Sequence, residues 1–258
     1  MRVIGGKPIM MSEYPWLAAL FRRRKLICGG TLLTDRHVLT AAHCVGRPSN
    51  ELTVELSAHE LGMTGPTLTQ TRRVSAVLRH PGFRPGGNFN HDLALLRLST
   101  PVAFSSGVRP ACLPPIGNCH YKYWFCRNND ANWTPNLASR VNSIIRIKVT
   151  LRRSVTGRDC KGESFADSLG TIVGWGKVSE GGPSSVVPRQ AMVRIMAREE
   201  CLEASNYSAI TLTPNMLCAG LPQGGADACQ ELCPGVLGAD DPLILGCTLK
   251  SASIPIGF

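Results

Sequence analysis

The sequence predicts an all-β protein, a sandwich or barrel of short strands, and three observations carry that expectation. The chain holds 26 Gly and 18 Pro with few long apolar runs, which suits turn-rich structure and carries nothing that suggests a helical bundle. Short alternating or β-branched segments recur at regular spacing between turn signals. At 258 residues, 43% of them hydrophobic, the chain is long enough to bury a sizeable core in one large or two small domains.

The elements follow in order. Leu26 to Leu33 and His37 to Thr40 read as a hairpin closed by Thr34-Asp35-Arg36. Glu51 to Ser57 and Arg73 to Leu78 give two further strands. Asp92 to Leu98 gives another, with Leu93, Leu95 and Leu96 apolar. Texture then changes: residues 116–161 are aromatic and Asn-rich at first, then basic and β-branched. Strand texture resumes at Thr171 to Gly176 and at Gln190 to Ile195. After Gln230 it changes again, and the tail is expected to end without a final element. There are no internal repeats.

Charge and cysteines narrow the class. The formal net charge is +10, but nine basic residues against Asp130 and Asp159 within 116–161 supply +7 of it. No recognition motif accompanies that stretch, so a solvated segment is expected and not a nucleic-acid site. Eleven cysteines are too many for an ordinary cytosolic protein of this size, and no C-x-x-C pair or His-spaced cluster marks a metal site. Disulfides in an oxidising compartment are expected, with an odd thiol free or bound to another chain. No apolar run is long enough to span a membrane. No signal peptide precedes Val3, so an export signal is expected upstream of Met1. No cofactor is called for. Asn132-Trp133-Thr134 and Asn206-Tyr207-Ser208 are glycosylation sequons.

Two segments bear on chemistry. Leu39-Thr40-Ala41-Ala42-His43-Cys44 ends the first hairpin, and a neutral imidazole there can accept a proton near pH 7. Cys44 can be tied to Cys28 in the opening strand, fixing the histidine loop; a structural histidine beside a cysteine is the plainer alternative. In Asn90-His91-Asp92-Leu93, an acid at the mouth of an apolar strand is expected to be buried and to need a partner. A histidine donating a ring N–H meets that need, and the carboxylate then fixes the tautomer and stabilises the imidazolium.

These segments, with others in the same order, resemble the trypsin-like (chymotrypsin-fold) serine proteases. Arg2 before Val3-Ile4-Gly5-Gly6 is similar to that family's activation cleavage point. Tyr14-Pro15-Trp16, Cys28-Gly29-Gly30-Thr31-Leu32, Arg109 to Pro114, Gly174-Trp175-Gly176, Asn215 to Gly220 and Asp227-Ala228-Cys229-Gln230 complete the match. The resemblance implies two antiparallel six-stranded barrels: residues 3–115 with the histidine and aspartate, a foreign basic insert at 116–161, and an incomplete second barrel at 162–258. It implies that His43 is the general base, Asp92 its orienting acid, and Asp227 the floor of a pocket selecting Arg or Lys before the scissile bond. It implies the pairs Cys28–Cys44 and Cys201–Cys218, and a disulfide-linked pro-region through Cys112. Cys229 lacks a recognisable mate, Cys233 and Cys247 being substitutes, and Cys119, Cys126 and Cys160 have none assigned. The implied setting is extracellular, with an upstream activating protease and with protein substrates or inhibitors as partners.

The pattern fails after Gln230. Where the family continues Gly-Asp-Ser-Gly-Gly-Pro, this chain reads Glu231-Leu232-Cys233-Pro234-Gly235. No serine Oγ is supplied for attack. The backbone donors of the oxyanion hole go with it, one donor alone being worth about 3 kcal/mol of transition-state stabilisation. The aspartate that would receive the ammonium of a freed Val3 is also absent, and the last strands and C-terminal helix are expected to be missing, leaving sheet edges open. Ser179-Glu180-Gly181-Gly182-Pro183 is no substitute, and Asp240-Asp241 reads as a solvated pair. The expectation is a serine endopeptidase domain of trypsin-like specificity, inactive as written, from an altered or mis-assembled transcript. The alternatives are a secreted non-catalytic homologue regulating a proteolytic cascade and a basic module binding polyanions through the insert.

Overall fold

The structure is a computed structural model. It describes residues 6–46, 51–61, 69–84, 89–111, 166–167, 169–176, 183–204, 207–213, 216 and 218–220, with the backbone of two short strands near the C-terminus. A two-residue strand, β1 (Lys7–Pro8), comes first. It is followed by β2 (Leu17–Arg22), β3 (Lys25–Leu32), β4 (His37–Thr40), β5 (Leu52–Leu56), β6 (Gln70–Arg79) and β7 (Ala94–Leu98). Strands β2 to β7 close into an antiparallel barrel in the order β2-β3-β4-β7-β6-β5.

The predicted hairpin is β3 and β4, with Thr31 opposite Leu39 and Leu32 opposite Val38. Its turn is held by the Thr34 hydroxyl, which accepts the Arg36 N–H at 2.9 Å, as short hydroxyl side chains commonly do in turns. Gly30 is needed where it stands: a Cβ there would lie 2.7 Å from Val38 Cγ1 and 3.2 Å from the Leu39 carbonyl oxygen. Period-two alternation fills the interior, with Leu52, Val54 and Leu56 of β5 and Leu96 and Leu98 of β7 in one buried cluster with Ala18, Leu20, Leu32 and Val38.

Strand β2 is apolar on both faces, and this joins the two halves of the molecule. Ala18 and Leu20 point into the barrel. Leu17 and Ala19 point outward, against Val173 and Trp175 of the second half. Trp175, 1% exposed, is among the largest fully buried side chains. The second half is built on β8 (Leu169–Gly174), β9 (Arg189–Met196), a six-residue helix α1 (Arg198–Glu203) and β10 (Cys218–Gly220). Strands β8 and β10 pair antiparallel to β9, and β1 pairs with it through Lys7–Gln190 and Pro8–Arg189. Among the described residues this sheet does not close. The architecture is all-β: a closed six-stranded barrel beside a second antiparallel sheet, consistent with the chymotrypsin-like double barrel.

Two expectations change. Asp92 does not open a strand: β7 begins at Ala94, because His91 takes a left-handed backbone (φ 57°) and its carbonyl accepts the Leu93 N–H at 2.7 Å, making a turn. The tail does form elements, β11 (Leu237–Ala239) and β12 (Asp241–Leu243), an antiparallel pair whose first strand lies against β8. Three-residue strands are too short for alternation to reveal. Arg2, Val3, Cys112, the 116–161 segment, both asparagines of the sequons, Asp227, Cys229, Cys233 and Cys247 lie outside the described residues.

Candidate active site

Barrel pairing brings the predicted histidine and aspartate together. Strands β4 and β7 are antiparallel neighbours, with Thr40 opposite Ala94. His43 lies three residues beyond Thr40, on a single 3-10 turn (Ala42–Cys44), and Asp92 lies two residues before Ala94. The two chain ends therefore leave the barrel side by side. The disulfide from Cys44 to Cys28 of β3, with Cα atoms 6.1 Å apart, anchors the histidine turn to the barrel wall.

Asp92 grips the histidine twice. Its Oδ1 accepts the backbone N–H of His43 at 2.8 Å, and its Oδ2 accepts the ring at Nδ1 at 2.5 Å. An ionised carboxylate only accepts, so Nδ1 carries the ring proton and Nε2 keeps its lone pair. The carboxylate is almost wholly buried, with its side chain 2% exposed, while the imidazole side chain is 23% exposed. A buried acid with two N–H donors is thus satisfied, and the imidazole it orients still reaches solvent. The Cys44 sulfur lies 3.5 Å from Nε2. Cys28, His43 and Cys44 cluster closely enough for a metal, but both sulfurs are spent in the disulfide, so the trio does not fit one.

The loop before Asp92 makes contacts that no sequence motif pointed to. Phe89 stands edge-on to His43, with ring centroids 5.5 Å apart, and His91 stacks on His80 at 4.4 Å. Thr213 Oγ1 donates to Asn90 Oδ1 at 3.0 Å, across 123 residues of sequence. Phe89 and His91 both have positive φ (48° and 57°), a conformation that costs non-glycine residues roughly 1–3 kcal/mol each and persists only where neighbours enforce it. Elsewhere, Tyr14 Oη donates to Gln190 Oε1 at 2.5 Å and Gln190 Nε2 donates to Glu13 at 2.9 Å, fastening the first half to β9. Burial, then the Glu13 charge, holds the Tyr14 phenol above its ordinary range.

In the second half, Cys201 of α1 is bonded to Cys218 of β10, with Cα atoms 6.2 Å apart. Helix α1 has no capping side chain; it packs Cys201 into a cluster with Met196, Leu212, Met216 and Cys218.

The trypsin family model matches this chain over residues 3–123 and 139–230. The chain belongs to the trypsin family of serine peptidases. The match enters the 116–161 segment from both ends, leaving 124–138 and everything after 230 unmatched. Among relatives, Ovochymase-2 of Mus musculus is 30% identical over 238 residues, which cover 89% of this chain and 31% of that protein. Venom serine protease Bi-VSP of Bombus ignitus is 31% identical over 242 residues, covering 89% of this chain and 54% of that one. The chain thus spans from just under a third to about half of these relatives' lengths. The family is one of hydrolases, and among the described residues no helix is long and apolar enough to cross a membrane.

Proposed function

We propose that this trypsin-family chain is a serine endopeptidase domain that keeps the base and orienting acid but lacks the nucleophile, and so does not turn over peptide substrates. The observation that carries the reading is the double grip of Asp92 on His43, which leaves Nε2 as the proton-accepting nitrogen. In the intact family reaction that nitrogen takes the proton of a serine hydroxyl as it attacks the scissile carbonyl, then returns it to the leaving amine. Here the family match stops at Gln230, and no serine follows until Ser251. A base without a hydroxyl to activate forms no acyl-enzyme, and the oxyanion donors that accompany the family's serine are lost with it.

Asp227 gives the domain its specificity in this reading. A carboxylate at the floor of a desolvated pocket accepts Arg or Lys because only a matching cation offsets its burial. Arg2–Val3 is the activation point, and a setting outside the cell agrees with the disulfides Cys28–Cys44 and Cys201–Cys218 and with a relative named for venom. A serine-directed fluorophosphonate probe tests the reading. No covalent adduct is expected on the intact chain, and stoichiometric labelling would overturn it. A second reading, a secreted homologue that binds proteases or their substrates without cutting, is favoured by the closed, well-packed barrel. It requires peptides of 231–258 in the secreted product, which mass spectrometry detects or does not.

A further inference from the structure

The three residues before Asp92 each dock on a different part of the molecule. Phe89 meets His43 edge-on and His91 stacks on His80, both within the first half. Asn90, between them, accepts the hydroxyl of Thr213 at 3.0 Å. Thr213 belongs to the second half and is itself buried, 8% exposed. Its neighbour Leu212 sits in the cluster closed by the Cys201–Cys218 disulfide, so the donor is mounted on a rigid segment.

The loop has little freedom to absorb a change there. Phe89 and His91 hold left-handed backbones, which relax to negative φ unless their surroundings prevent it. Leu93 N–H closes onto the His91 carbonyl, and His80 N–H onto the Leu93 carbonyl at 2.8 Å, so Asp92 lies inside a short hydrogen-bonded loop continuous with Asn90.

We propose that Asn90 and Thr213 are positioning residues. Their hydrogen bond fixes the loop that sets Asp92 against His43, so the second half governs the geometry of a pair contributed entirely by the first barrel. The proposal rests on the reading of His43 and Asp92 as base and orienting acid, but it does not require turnover.

Amide hydrogen exchange of the full chain tests it, because the His43 N–H donates to Asp92 Oδ1. Thr213→Val keeps the side-chain shape and removes the donor. The His43 amide then exchanges about fivefold faster, the net worth of one hydrogen bond, while amides of β2 and β5 keep their wild-type rates. Thr213→Ser keeps the hydroxyl and restores protection. Asn90→Ala reproduces the effect, and combining it with Thr213→Val adds nothing further. Unchanged His43 exchange in folded Thr213→Val overturns the proposal. So does equal acceleration throughout the barrel, the mark of a merely structural role. If Thr213→Val does not fold, Asn90→Ala decides by the same criteria, with Asn90→Asp, which retains the acceptor, as the restoring variant. Phosphonate labelling would contradict the reading of the site without touching this result, and exchange can fail here while that reading stands.

Discussion

Replacing Asp92 separates what its charge does from what its shape does. The carboxylate is buried and accepts two N–H groups from one residue, at 2.8 and 2.5 Å. Asp92→Ala leaves both donors without this acceptor. The His43 ring is neutral, so no charge is stranded, and leaving a buried N–H donor unsatisfied costs about 1–3 kcal/mol per donor. The His43 side chain is 23% exposed, so water re-solvates part of the ring and the lower end of that range is expected. Asp92→Asn is different. Its amide oxygen still accepts the backbone N–H, while its NH2 group faces Nδ1 and forces the ring proton to Nε2. Neutral bonds are roughly half as strong as charge-assisted ones, but no buried charge remains to be offset, so a net loss of about 1 kcal/mol is expected. Urea unfolding of the three proteins gives the energies, and nitrogen-15 NMR of His43 reports which ring nitrogen is protonated. Asp92→Ala within about 0.5 kcal/mol of wild type, within the range of ordinary surface changes, would refute the reasoning. So would an Nδ1 proton persisting in Asp92→Asn.

Further expectations follow from the first barrel. Gly30→Ala places a methyl 2.7 Å from Val38 Cγ1 and 3.2 Å from a backbone oxygen, so overpacking costs about 1–3 kcal/mol; thermal melting measures it, and an unchanged melting temperature contradicts the close approach. Burial, then the Arg97 charge, lowers the His37 pKa, with Asp35 opposing in part. The folded protein therefore binds this proton less readily than the unfolded chain does. Its stability contribution is complete above the ordinary histidine value of about 6.5 and is lost as pH falls through and below it. His37→Gln should flatten the melting temperature between pH 8 and 5, and an unaltered slope would exclude His37 as its source.

Local patterns in the sequence anticipate local structure well. The β3–β4 hairpin, with its Thr34 turn, follows from alternation and turn chemistry, and strands β5 to β9 lie within a few residues of the apolar runs that announce them. Adjacent pairing of β4 and β7 then turns two distant motifs into the His43–Asp92 contact. Hidden from the sequence are elements stabilised from outside themselves. Helix α1 is too short to show helical periodicity, and β10 too short to alternate; the Cys201–Cys218 bond and β9 hold them. β1 is a strand only because β9 supplies its partner. The Asn90–Thr213 contact is likewise illegible, since neither residue type nor spacing distinguishes it from ordinary loop polar residues. The start of β7 moves to Ala94 for the same reason: anchors on Phe89, Asn90 and His91 set the backbone there, not the apolar pattern that follows.

The most direct measurement is hydrolysis of an arginyl ester, a substrate easier to cleave than a peptide, by the purified chain beside its His43→Ala variant. The proposed lack of a hydroxyl for His43 to deprotonate predicts the same background rate for both. Turnover by the wild-type chain that disappears in His43→Ala would contradict it.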